Sequence, residues 1–234
     1  MSLRVTIVAA LLIAVAACGG SRAEEALEGT RELSIAVCDP VSGSFTLDIT
    51  NAYLPFQPGQ QAVLEGMDGS RPARVQISVL DDTEVVAGVT TRVVEEREWV
   101  NEELVEVSRN FVAQAADGSV CYFGEDVDDY RDGEIIGHGG AWRAGENDHQ
   151  PGILMPGAPE VGTSHKQEVA AGIAEDASVI VEIGESFTVP AGTYSDTLVT
   201  RDVDPIGGGV DPKRYARGVG LIVDESLSLI SFTG

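Results

Sequence analysis

Three Asp-Gly pairs, Asp68-Gly69, Asp117-Gly118 and Asp132-Gly133, punctuate this 234-residue chain, and β-branched and charged residues alternate between them. Asp-Gly pairs favour tight hairpin turns because both central residues can take φ > 0. In "TRVVEEREWV", Val93, Glu95 and Arg97 fall on one side and Val94 and Glu96 on the other. In "ELVEVSRNFV", Leu104, Glu106, Ser108 and Asn110 oppose Val105, Val107, Arg109 and Phe111. Period-two alternation is the strand signal, and strands at ~8–12-residue spacing with turns between them predict an antiparallel all-β meander. The expected fold is mainly β: a curved sheet, half-barrel or barrel of about ten strands with few short helices. Only "HKQEVAAGIAEDA" offers a helix, and Gly172 interrupts it. The stretch from Trp142 to Gly162 holds three prolines and several glycines and reads as a long loop.

The N-terminus has a different pattern. Arg4 precedes an apolar run, Val15-Ala16-Ala17 supplies small residues, and Cys18 follows, after which the chain turns polar at "GGSR". This is the layout of a secretory signal. The run is too short for the ~20 apolar residues of a spanning helix. Val15-Ala16-Ala17-Cys18 resembles the lipobox of bacterial lipoproteins. The resemblance implies cleavage before Cys18 and attachment of palmitate-type acyl chains there. Each buried CH₂ contributes ~0.8 kcal/mol, and stable anchoring takes more than one chain. The expected organisation is a signal peptide over 1–17, a lipidated flexible tether over 18–33 and a single β-rich domain over 34–234. A short helix at "SRAEEALEG" is the alternative for the tether. The implied location is exported, anchored to the cell membrane or an outer membrane, with the lipid bilayer as partner through acylated Cys18.

Composition limits the other partners. Without residues 1–17 the chain keeps 14 Lys and Arg against 38 Asp and Glu, a net charge of −24. Nucleic-acid binding needs a basic footprint, so no nucleic-acid partner is expected. Anionic headgroups repel such a surface, which leaves the acyl chains to hold it at a membrane. Cys38 and Cys121 remain after Cys18. In an oxidising compartment they can bridge across 83 residues or stay as two buried thiols.

Three further stretches carry a resemblance: "NAYLPFQPGQQAVLEG" (Asn51–Gly66), "VPAGTYSDTLVTRDV" (Val189–Val203) and "RYARGVGLIVDES" (Arg214–Ser226). Together with "CYFGEDVDDYRDGE" they resemble a family of exported bacterial lipoproteins with no assigned activity. That family's general shape is similar to the curved sheets of periplasmic lipoprotein carriers. Ala52 and Arg217 stand where that pattern has proline.

Candidate sites are few. Glu125, Asp126, Asp128 and Asp129 supply hard oxygen ligands for Ca²⁺, although Tyr130 breaks the EF-hand spacing. A charged hairpin guarding a sheet edge explains them equally. His138, His149 and His165 lack zinc-motif spacing. No G-x-S-x-G elbow supports a hydrolase, and no catalytic residue is assigned. Trp142, Ile153, Leu154 and Met155 can cover the mouth of an apolar ligand site or fill the core. The expected role is a non-enzymatic module that binds a small apolar ligand or an envelope protein. A calcium- or metal-dependent structural module is the alternative, and a hydrolase the third.

Overall fold

A computed structural model describes residues 19–234, so the leader and Cys18 lie outside the described residues. Helix α1 (Gly19–Leu27) comes first. Seventeen strands follow among the described residues. The first seven are β1 (Arg31–Glu32), β2 (Phe45–Thr46), β3 (Gln61–Asp68), β4 (Arg71–Val86), β5 (Val89–Val100), β6 (Glu103–Ala115) and β7 (Val120–Arg131). Next come β8 (Glu134–Gly137), β9 (Trp142–Arg143), β10 (Gln150–Met155), β11 (Thr163–Lys166) and β12 (Glu168–Val169). The last five are β13 (Ala177–Val189), β14 (Gly192–Val203), β15 (Val210–Ala216), β16 (Gly220–Asp224) and β17 (Leu227–Thr233).

One sheet takes in almost all of them. Its order runs β12-β10-β7-β6-β5-β4-β3-β17-β16-β15-β14-β13-β11-β1, antiparallel except for the β1–β11 pair. Short β2 pairs with β6, and β8 and β9 pair with β7. Local chemistry sets the hairpins. Asp132-Gly133 closes β7–β8 with φ of 54° and 79°, as the Asp-Gly signal predicts, and Asn101-Glu102 closes β5–β6 with φ of 53° and 67°.

The sheet curls. Lys213 on β15 feels the charge of Glu96 on β5, five strands away. On a flat sheet, ~4.8 Å per strand would separate them by about 24 Å. Glu168 on β12 also feels Lys213. The inner faces of both halves therefore look at each other across a common interior. Residues 163–169 carry the chain from one margin to the other: β11 pairs with β13, and β12 with β10.

The count of about ten strands was too low, and the sheet stays open instead of closing into a barrel. Two misread stretches account for part of the difference. The expected 142–162 loop contains β9 and β10, and buries Trp142, Ile153, Leu154 and Met155. The expected helix after His165 is instead β11, β12 and a turn, where Gly172 takes φ 75°. Residues read as tether carry α1, whose Ala23 is buried, and β1, which pairs with β11. No helix among the described residues is long and apolar enough to cross a membrane.

The segment 49–56 straps one end of the curl. Asn51 Oδ1 accepts from the Tyr53 and Leu54 amides at 3.0 and 3.1 Å and folds the strap back on itself. Its Nδ2 donates to the carbonyls of Gly118 and Pro156, at 2.9 and 3.0 Å. On the far side, Gly218 N donates to Ala52 O at 2.8 Å. Arg217 lies over the Tyr53 ring at 4.6 Å and donates to Asp196 at 2.6 Å. Tyr53, Asp196 and Arg217 come from the three resemblance stretches, so those stretches meet at one place. The strap's own Ile49, Tyr53, Leu54 and Phe56 are buried in the core. Close by, Cys38 and Cys121 are joined in a disulfide, with Cα atoms 5.6 Å apart and both residues fully buried.

Candidate functional site

Cross-strand partners share a face, so the register writes out the interior in rows. The first row reads Val79, Val94, Asn110 and Glu125; the second, Ile77, Glu96, Ser108 and Val127; the third, Val75, Glu98, Glu106 and Asp129. Along β3 and β4 the rows are apolar, continuing to Ala62 and Leu64. Along β5 to β7 they turn acidic, although Glu96, Glu98, Glu106 and Glu125 are all buried. The opposite half adds the row Ile180, Thr200, Lys213 and Asp224, with Ser178 and Asp202 in the next.

A bulge makes the acidic end possible. The β6–β7 register shifts between Asn110 and Val112, so Tyr122 and Glu125, three apart in sequence, share the inner face. Gly124 absorbs the kink at φ 133°. Tyr122 packs edge-on to Trp142 with ring centroids 5.3 Å apart, and Trp142 meets His149 at 6.4 Å. Trp142 Nε1 donates to Glu168 Oε1 at 3.3 Å. Tyr122 Oη is near enough to Glu125 to favour its anion slightly. However, a hydroxyl has one proton to give, and Tyr122 gives it to Asn110 Oδ1 at 2.6 Å. Neither Glu125 oxygen, nor Glu168 Oε2, accepts a hydrogen bond.

The electrostatics follow from that geometry. Burial first, then the charges of Glu168 and Glu106, holds the Glu125 carboxyl well above the usual carboxylate range. Burial and Asp176 do the same to Glu168. Asp176 itself is pushed up to about 8 by desolvation, with Asp204 and Asp202 adding to it. Across the curl, burial lifts Asp224 to about 7 against the pull of Lys213. Burial alone depresses a lysine, but Asp224 and Asp202 outweigh it and raise Lys213. Lys213 Nζ stands 3.3 Å from Asp202 and 3.6 Å from Asp224, and Ser178 donates to Asp202 at 2.7 Å. His165, buried beside this group, is lowered to about 4 by desolvation.

The residues proposed for calcium are split by strand alternation. Glu125 faces inward, whereas Asp126 and Asp128 point outward. Asp126 takes a two-pronged contact from Arg143 at 2.8 and 3.0 Å. Asp128 meets Arg109 at 3.3 Å and His138 at 3.1 Å. Asp129 accepts from the Gly139 amide at 2.8 Å. Among the described residues no group of three or more His, Cys, Asp or Glu is placed to hold a metal ion. Of the apolar set, Trp142 alone joins the acidic cluster. Ile153, Leu154 and Met155 pack into the core, with Ile153 and Met155 registered against β7.

Sequence reasoning missed Glu96, Glu98, Glu106, Glu168, Asp202, Lys213 and Asp224. In sequence they alternate with apolar residues as any wet strand face does. The available clue was phase: Glu96 and Glu98 are in step with Val94 and Val100, which cannot all face water comfortably. No protein-family model, curated protein or solved structure matches this chain.

Proposed function

We propose that this protein is an exported, lipid-anchored binding module, held at a membrane by acyl chains on Cys18 and taking a small ligand into the interior of its curled sheet. The observation that carries the binding reading is the pair Glu125 and Glu168, buried within the curl, where both Glu125 oxygens and Glu168 Oε2 accept no hydrogen bond. Unsatisfied buried polar groups cost about 1–3 kcal/mol each. A fold that keeps them gains something by it, and a ligand that supplies donors removes the cost. The buried Cys38–Cys121 bridge supports export, since disulfides persist outside the reducing cytoplasm. The V-A-A-C resemblance supports the anchor.

The test is native mass spectrometry of the full chain purified from its own host. The expected spectrum shows acyl mass at Cys18 as the new N-terminus and a retained small molecule that dissociates on activation. A protein that starts at Met1, carries no acyl mass and releases nothing would overturn the proposal.

A further inference from the structure

We infer that the ligand of the curl is an organic cation, an amine or guanidinium carried on an apolar body, with its charged head between Glu125 and Glu168 beside Trp142. The inference rests on the binding reading above and adds the ligand's chemistry.

Charge is the first argument. Seven carboxyl groups are buried on the interior side: four on β5 to β7, Glu168 on β12, and Asp202 and Asp224 across the curl. One buried ammonium, Lys213, faces them, and it is engaged by Asp202 and Asp224. An anionic ligand would press these carboxyl groups further toward their protonated forms, whereas a cation favours their ionised forms, and a neutral apolar ligand leaves both Glu125 oxygens and Glu168 Oε2 without donors. A cation with N–H groups answers both. The independent sign that something is wanted there is Glu125 itself, fully buried, aimed into the cluster by the Gly124 bulge, with both oxygens unpartnered.

The surroundings fix the rest of the ligand. Tyr122 and Trp142 form an aromatic wall at the acidic end, and aromatic faces attract cations. From that end the rows run without a break into apolar residues: Glu96 pairs with Ile77, and Glu98 with Val75. An ammonium at one end and an apolar body along β4 and β3 match that gradient. The ligand would enter at the seam where the two margins meet. There β12 holds β10 through only two residue pairs, Gln150–Val169 and Pro151–Glu168, and Glu168 sits on that seam.

The experiment uses the full chain and three probes of equal length: octylamine, octanol and octanoate. Binding is followed by calorimetry and by the emission of Trp142 in a Trp99→Phe background. Octylamine is expected to bind one to one and at least tenfold tighter than octanol, with octanoate weakest. Glu125→Gln and Glu168→Gln are each expected to weaken octylamine about tenfold and leave octanol unchanged. Circular dichroism checks that the variants keep their sheet, and Trp142→Phe gives a second route to the same site. Equal binding of all three probes overturns the cation and leaves a binding module. Octylamine affinity unchanged in folded Glu125→Gln and Glu168→Gln overturns the site. If no probe binds and the host-purified protein also carries no small molecule, the binding reading falls with it. If no probe binds but the host protein carries a neutral or anionic molecule, only the cation falls.

Discussion

Gly124 lies so close to the backbone of Trp142 that a Cβ at position 124 stands 2.3 Å from the Trp142 carbonyl oxygen. The same residue holds φ 133°, where side chains are strained. Steric overlap and backbone strain act together, so Gly124→Ala is expected to cost about 2–4 kcal/mol. Because the bulge also turns Glu125 inward, the variant should lose the near-ultraviolet dichroism of Trp142. Urea unfolding within 0.5 kcal/mol of wild type would show that β9 does not depend on this contact.

Stability should fall as the solution becomes alkaline. Glu125, Glu168, Asp176 and Asp224 all hold protons more tightly folded than unfolded. Each contributes stability that is fully present below its unfolded pKa and lost as pH rises through its folded one. For Asp224 and Asp176 the losses centre near 7 and 8. His165 works the other way: its folded value is about 4, so its contribution is present above pH ~6.5 and lost as pH falls toward 4. Four groups against one decide the balance. Urea midpoints are expected to drop between pH 5 and pH 9 by the equivalent of a few kcal/mol. A midpoint that climbs over that range contradicts the buried carboxylates.

How much of this was readable beforehand depended on whether the signal was local. Asp132-Gly133 announces its hairpin because the turn's φ values are a property of two residues. The period of β5 and β6 is equally local, and both strands are where alternation puts them. Alternation does not say which face the curl encloses. Glu96 and Glu98 look like a solvent face until β15 is brought opposite β5, which is a matter of sheet curvature. The 142–162 stretch failed for a related reason. Its prolines and glycines signal irregular backbone, but Gly152 is required because the Gln167 carbonyl, at the step between β11 and β12, lies where a Cβ would sit, a contact that a local reading does not reach. Glu125, Asp126, Asp128 and Asp129 were legible as a cluster in one dimension, and the pleat of β7 then separated them.

Lys213→Met is expected to be among the most damaging single changes. It leaves Asp202 and Asp224 buried side by side without their ammonium, at a cost of about 3–5 kcal/mol. Combining it with Asp202→Asn and Asp224→Asn removes the stranded charges and should recover most of the loss. Comparing the single, double and triple variants by urea unfolding separates the pair energy from the packing of the lysine stem. A harmless Lys213→Met would mean that the two aspartates are held by protons alone.

Removing the bridge between Cys38 and Cys121 tests how far the strap end depends on covalent closure. The disulfide spans 83 residues, and the chain-entropy model gives such a loop about 4–5 kcal/mol of stabilisation through the unfolded state. Cys38 belongs to a single 3₁₀ turn, Ile35–Cys38, and no sheet ladder holds that turn, whereas Cys121 is centrally paired on β7. The Cys38→Ala, Cys121→Ala double variant should therefore fray from the 34–60 side first. Hydrogen exchange should show amides of the 3₁₀ turn and the strap opening while β4 to β6 stay protected. Uniform loss of protection across the sheet would show instead that the bridge stabilises the domain as a single unit.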